Sequence, residues 1–278
     1  MKYSINLLIL YAALMTSCND SNESNPPCDA TTFLFQEESG ILVIEAEELP
    51  EATDLKDWNI SNTKLKQQDG SDFPSSFNGD GYIVYNGEEF FREGGNSPLT
   101  YEINVTNTGI YRFVYASAIT LYAQDAAPNT EHNDVWIKFP DADAFYGYRA
   151  QNNSIAIPKA PNQEDANPND PILEATYPDA SYKFPNGANE QNNGYFKVYM
   201  NQLNDWWYEG STSDSNAHNI YVRFDNPGTY TLEISGRSTG FAIDRIILYK
   251  EEGALADLNR NERKEQLSLL ISADAECL

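Results

Sequence analysis

Short runs in which every second position is apolar recur along the chain, and Gly, Pro, Asn or Asp closes most of them. Tyr111, Phe113 and Tyr115 recur at alternate positions, and Tyr230, Leu232 and Ile234 alternate with Thr231, Glu233 and Ser235. A repeat of two is the mark of a strand with one buried face. Residues 228–250 read as a β-hairpin, with turn chemistry at Ser235-Gly236 and Thr239-Gly240. Its second strand, 241–249, is almost wholly apolar and is interrupted by Asp244 and Arg245. Further strands are expected over 41–47, 81–85, 99–105, 110–116, 135–139, 194–200 and 220–224. Many short strands separated by turn residues indicate an all-β sandwich.

Two regions break the pattern. Residues 141–193 are crowded with Asn, Pro, Asp and Ala and show little periodicity. They are expected to form a long loop insertion over one end of the sandwich, with room for a short helix. Residues 251–270 are rich in Ala, Leu and charge, and are expected to form a short helical C-terminal extension. The sandwich itself is placed at 39–250 and the extension at 251–278.

The charged residues inside apolar strands need a reason, because an unpaired buried charge is costly. Asp244 and Arg245 either pair with each other, point to solvent, or serve a ligand. Glu45 and Glu47 are two residues apart on a strand and project from one face. If the first and last strands pair, Glu45, Glu47 and Asp244 meet. Three hard oxygen donors suit calcium better than zinc or copper, so a structural calcium on these residues is expected.

An early Ile-Glu-Ala-Glu strand (44–47), a Gly-Tyr-Ile segment (81–83), a Gly-x-Tyr strand start and a closing Gly-Phe-Ala-Ile-Asp-Arg-Ile strand (240–246) occur in this order. Together they resemble carbohydrate-binding module families 6 and 35. The resemblance spans roughly residues 41–250. It implies a galactose-binding-like β-sandwich jelly roll that binds sugar and carries a structural calcium. It also implies a binding tyrosine near the Gly-Tyr-Ile segment, at Tyr82, and a binding tryptophan in a later loop, at Trp206 or Trp207. The asparagine common in the last loop of family 6 is missing, since Ala242 stands about there. Arg237, Ser238 and Thr239 are the nearby hydrogen-bonding side chains.

Sugar rings offer flat C–H faces and a rim of hydroxyls, which aromatic and polar side chains match respectively. The consecutive Trp206, Trp207 and Tyr208 lie in a polar, Gly-ended segment and cannot all enter one core. The expected binding surface joins the 78–82, 205–208 and 237–239 segments, with Asn78, Tyr82, Trp206, Trp207, Tyr208 and Arg237 as its contacts. One of the two tryptophans is expected in the core, because neighbours on a strand face opposite ways.

Charge and termini narrow the setting. The 278 residues carry a net charge of −24, which argues against a nucleic-acid partner and against attraction to anionic lipid. Residues 5–15 are apolar apart from Asn6 and follow Lys2, the pattern of a secretory signal. Leu14-Met15-Thr16-Ser17-Cys18 resembles a bacterial lipoprotein signal, so 1–17 is expected to be a signal peptide and Cys18 the lipidated N-terminus. A polar, proline-ended stretch follows, and 18–38 reads as a flexible tether. The expected location is the bacterial outer membrane, lipid-anchored and facing outward. Cys28 and Cys277 flank the domain, as a disulfide or as two separate thiols.

These readings converge on a non-catalytic polysaccharide-binding lipoprotein that works with other glycan-utilisation proteins. The alternative is a jelly-roll polysaccharide lyase or glycoside hydrolase. A glycosidase needs two opposed carboxyls, for which Asp205 and Glu209 are the best candidates. A lyase needs a base, for which His132, His218 and Tyr208 are available. No serine nucleophile elbow, zinc signature or phosphate loop is present.

Overall fold

A computed structural model describes residues 33–120, 132–212, 215–272 and 276–277. The strands are β1 (Phe33–Gln36), β2 (Ile41–Glu45), β3 (Trp58–Ser61), β4 (Tyr82–Tyr85), β5 (Leu99–Val105), β6 (Gly109–Ile119), β7 (Asp134–Lys138), β8 (Ala144–Arg149) and β9 (Ser154–Ala156). Helix α1 (Pro171–Thr176) follows, then β10 (Ser181–Lys183), β11 (Phe196–Tyr199), β12 (Trp207–Glu209), β13 (Ser211–Thr212), β14 (Asn219–Phe224), β15 (Gly228–Ser235) and β16 (Phe241–Tyr249). Helix α2 (Arg260–Ser268) and β17 (Glu276–Cys277) close the described chain.

The fold is an all-β sandwich of the jelly-roll kind with a short C-terminal helix. One layer runs β2–β16–β6–β14–β8–β9–β10, with β4 and β3 continuing it beside β16 and β12 beside β6. The other runs β17–β1–β5–β15–β7–β11–β13. The pair Ser211↔Asn219 joins the two layers. Between them lies the core, with Ile44, Phe113, Tyr115, Ile246 and Leu248 from the first layer and Phe35, Tyr101, Ile103, Leu232 and Ile234 from the second.

Three expectations change here. The expected hairpin at 228–250 is an arch: β15 pairs with β5 and β7, whereas β16 pairs with β2, β4 and β6. Both strands aim apolar side chains into the same core from opposite layers, so they face each other and are not hydrogen-bonded together. Gly236 lets the arch pass against Tyr85, where a Cβ would lie 2.1 Å from the ring.

The second change is at the N-terminal boundary. Phe33–Gln36, expected in the tether, is strand and runs parallel to β5. Glu37 belongs to the fold as well. It accepts from Gly40 N (2.5 Å), Thr106 N (3.0 Å) and Asn107 N (2.8 Å). Burial raises its pKa, but bonds from Thr106, Asn107 and Gly40 outweigh this and bring it down to about 2.

The third is the 141–193 region, expected as a long loop insertion with room for a short helix; the helix is present, and strands stand where loop was expected. It extends the first layer by β8, β9 and β10, and α1 packs on them. Asp170 caps α1 by accepting from Ile172 N and Leu173 N, with Pro171 at the first helical position. Leu173 enters a cluster with Tyr146, Ile155, Ile157 and Tyr221. β9 and β10, at three residues each, are too short to display periodicity, which is why this stretch reads as loop.

Candidate functional site

The matched end strands come together. β2 and β16 are antiparallel with Glu45 opposite Arg245. The register between β16 and β6 shifts between Ile243 and Arg245, making Asp244 the extra residue of a β-bulge. Ile243 and Ile246 both reach the core, so the bulge leaves Asp244 and Arg245 together on the outer face with Glu45.

Their partners differ from either simple expectation. Arg245 pairs with Glu45, with Nη2–Oε1 2.5 Å and Nε–Oε2 3.2 Å. Asp244 instead accepts from Asn78 N (2.9 Å) and Asn78 Nδ2 (3.0 Å). Asn78 Nδ2 also donates to the Tyr208 hydroxyl at 2.6 Å. Glu47 Oε1 accepts from Asp80 N and Gly81 N, both at 2.9 Å. Gly79, just before them, has φ +60°, and a Cβ there would lie 2.5 Å from Glu47 Oε1, so only glycine lets this turn close on the carboxylate.

Glu47 and Asp244 are therefore gathered around the 78–81 turn, while Glu45 is committed to Arg245. Burial pushes both the Glu47 and the Asp244 carboxyl up to about 7. Glu47 Oε2 is buried without a hydrogen-bond partner among the described residues. No cluster of three or more His, Cys, Asp or Glu side chains fit to hold a metal occurs among the described residues. A hard cation here would have the Glu47 and Asp244 carboxylates, with backbone carbonyls for the rest.

The aromatic platform is present, but it is closed. Trp206 and Tyr82 are only 1% and 3% exposed. Their rings meet edge to face at 5.2 Å in a cluster with Phe73, Ala118 and Ala242. The Tyr82 hydroxyl donates to Thr63 O at 2.9 Å. Tyr208 is buried with Val43, Val114, Ile247 and Leu267 of α2. Trp207 is half-buried, with the cations of Arg260 and Lys264 over its ring at 5.6 and 5.3 Å. Tyr82, Trp206 and Tyr208, expected as stacking faces for sugar, are buried here and pack the 62–78 segment and α2 onto the sheet. Adjacency of aromatics showed that they diverge; what covers each one depends on distant residues.

Arg237 belongs to a different cluster. It is buried, ion-paired with Asp134, and lies over the rings of Phe91 (5.0 Å) and Trp136 (5.4 Å). Ser238 Oγ also donates to Asp134, at 2.5 Å. Arg237, expected as a sugar contact, thus ties the arch to β7 through Asp134.

The carboxyls proposed for hydrolysis are likewise engaged. Lys264 pairs with Asp205, and Arg260 with Glu209 at 2.7 Å, both from α2. His132 Nδ1 lies 3.0 Å from Glu89. His218 is fully buried and shares a hydrogen bond with Ser154 at 2.7 Å.

Two open cavities, each about 330 Å³, escaped the reading of the sequence. The first is a groove along the β5 edge. Phe33, Leu49 and Pro50 supply apolar surface, and Thr53, Asp54, Lys56 and Glu102 a polar rim. It combines segments far apart in the chain, and no local motif marks it. The second lies where β8 ends and β14 begins.

Cys18 and Cys28 lie outside the described residues, as does the side chain of Cys277. No helix among the described residues is long and apolar enough to cross a membrane.

No protein-family model matches the chain, and no curated protein does. Among solved structures it is similar to the GH26-CBM35 β-(1,4)-mannanase of Podospora anserina, at 13% identity and TM-score 0.39, covering 82% of this chain and 34% of that one. A Paenibacillus cycloisomaltooligosaccharide glucanotransferase, complexed with cycloisomaltoheptaose, matches at 12% identity and TM-score 0.33, covering 73% and 17%. A ruminal GH26 endo-β-1,4-mannanase matches at 10% identity and TM-score 0.32, covering 81% and 31%. The chain spans about a third or less of each of these proteins.

Proposed function

We propose that this chain is a non-catalytic glycan-binding domain. The observation that carries the proposal is the meeting of the two matched strands. Their acidic positions Glu47 and Asp244 converge on one turn, as the resemblance to carbohydrate-binding modules implies. The engagement of Asp205 and Glu209 by α2 favours binding over hydrolysis, because a glycosidase needs two carboxyls flanking an open cleft.

The groove along β5 is the proposed glycan surface. Its volume suits one or two sugar rings, its apolar wall suits their C–H faces, and its rim suits their hydroxyls. A glycan panel that follows binding and cleavage together tests the reading. Binding without new reducing ends or unsaturated products is expected, and Thr53→Trp, which fills the groove, should abolish it. Cleavage, or binding indifferent to that variant, would displace this reading.

The proposed structural calcium would take Glu47 and Asp244 as its side-chain ligands, with Glu45 outside the ligand set because Arg245 holds it. A cation bound only by the folded state raises stability by mass action. Chelation should therefore lower the melting temperature, and an unchanged value rules the ion out. The anchoring proposal rests on the Thr16-Ser17-Cys18 sequence: lipidation at Cys18 would tether the chain to the bacterial outer membrane, beside other glycan-utilisation proteins. Cys18→Ser should move the protein from the membrane to the soluble fraction.

A further inference from the structure

The second cavity, at the end of β8 and the start of β14, has a lining unlike the rest of the molecule. Among the described residues, Tyr148, Arg149, Gln151, Ser215, Ala217 and Asn219 line it, and none of these is acidic. The chain as a whole has 42 acids against 18 Lys and Arg, so a cavity whose described lining holds an arginine and no carboxylate stands out in it. Arg112, Arg223, Arg237, Arg245 and Arg260 all form ion pairs, and Arg263 donates to Leu258 O. The side chain of half-buried Arg149 has neither an ion pair nor a hydrogen bond among the described residues, and it faces this cavity.

The walls are held from behind. The Tyr148 ring stacks on Tyr177 at 4.0 Å, and its hydroxyl donates to Asn153 at 3.3 Å. Asn186 Nδ2 donates to Ser215 Oγ at 2.9 Å. Gly147, two residues before Arg149, packs so closely on His218 and Thr212 that a Cβ would lie 2.8 and 2.9 Å from them. The buried Ser154–His218 bond lies behind that contact. The cavity is thus one guanidinium, two amides and a hydroxyl around an aromatic wall on a rigid sheet end.

We propose that this cavity is a separate binding site for a carboxylate-bearing sugar ring, a hexuronate unit of an acidic polysaccharide. A guanidinium presents a planar fork that matches a carboxylate with two parallel hydrogen bonds. A single cation balances a single charge, which suits a monoanionic ring better than a phosphate. Gln151, Ser215 and Asn219 are positioned for ring hydroxyls, and Tyr148 for a C–H face. The net negative charge opposes an acidic glycan at long range, but salt at physiological strength screens beyond about 8 Å, whereas the Arg149 contact is direct.

This inference rests on the glycan-binding reading but not on the groove along β5. The full chain is titrated calorimetrically in physiological salt with oligogalacturonate, oligoglucuronate and alginate oligomers. Carboxyl-reduced and sulfated oligomers serve as the other arms. At least one uronate oligomer should bind, its carboxyl-reduced form should not, and Arg149→Gln should weaken binding about tenfold or more with the melting temperature unchanged. Arg149→Lys should recover part of the affinity, and Thr53→Trp should leave it intact. Equal binding of the carboxyl-reduced form, binding of sulfated oligomers alone, or indifference to Arg149→Gln overturns the assignment. Binding of neutral glycans alone overturns it while leaving the glycan reading standing; a panel with no bound glycan removes both.

Discussion

The outer face of the β2–β16–β6–β14–β8–β9–β10 layer has two halves, and they solve burial differently. One half carries Glu45, Asp244 and Arg245 with Tyr208, and α2 and the 62–78 segment roof it. The other carries Tyr146, Tyr148, Tyr177, Tyr182 and Tyr221, with α1 packed on them. Buried charges need a complete set of partners and therefore a closed roof. Tyrosines bury a ring and let the hydroxyl meet water or another hydroxyl at the edge. Tyr146 and Tyr177 do the latter, with their oxygens 3.1 Å apart. The charged half accordingly has no room for a ligand at its aromatics, while the tyrosine half ends in an open cavity.

The largest effect is expected from Trp206→Ala. The side chain is 1% exposed and holds the roof of the charged half through Tyr82 and Phe73. Removing it should cost about 4 kcal/mol of unfolding free energy, measured by denaturant titration. A loss under about 1 kcal/mol would mean that the roof is loose and the platform accessible after all.

Arg245→Met tests the same half through its charge. It leaves Glu45 buried without its cation, which should cost about 3 kcal/mol. Adding Glu45→Gln should restore most of the loss, since the penalty belongs to the stranded carboxylate. If the double variant is no more stable than the single one, the pair is not what closes this half.

The contrast between the halves was only partly legible in the chain. Strands such as β5, β14 and β15 are long enough to show their alternation, and the meeting of β2 with β16 followed from their acidic positions. The bulge at Asp244 was not legible, because one inserted residue leaves no mark in an apolar run. The arch at 236–240 looked like a hairpin because two strands facing across a core carry the same pattern as two strands side by side. Trp206, Trp207 and Tyr208 looked like a platform because local sequence records aromaticity and not the arrival of α2 some sixty residues later. Arg149 carries no local mark, since the residues that surround it come from segments distant in sequence.

Leu173→Ala addresses the tyrosine half. Leu173 is the buried anchor of α1, and its loss should cost about 2 kcal/mol. The effect should be local: hydrogen exchange should accelerate in α1 and β10 with β2 and β16 unchanged. Uniform acceleration across both halves would show that they unfold as one unit and that the comparison has no energetic content.

The smallest effect is expected at Trp207, and it discriminates most finely. Its neighbours in sequence, Trp206 and Tyr208, point into two closed clusters, while Trp207 lies at the edge of the main core beneath Arg260 and Lys264. Cation–π contacts at partly exposed sites contribute about 0.5–1 kcal/mol each, and Arg260 and Lys264 are also held by Glu209 and Asp205. Trp207→Ala should therefore destabilise the fold by only about 1 kcal/mol, with α2 remaining docked through Leu267, which is fully buried. Glycan binding at the β5 groove and at Arg149 should be unchanged, because Trp207 lines neither cavity. Trp207→Phe should recover part of the loss, as the weaker ring still faces both cations. The opposite outcome, a folded Trp207→Ala protein that has lost glycan affinity, would show that α2 leaves the ring in solution and that the charged half opens.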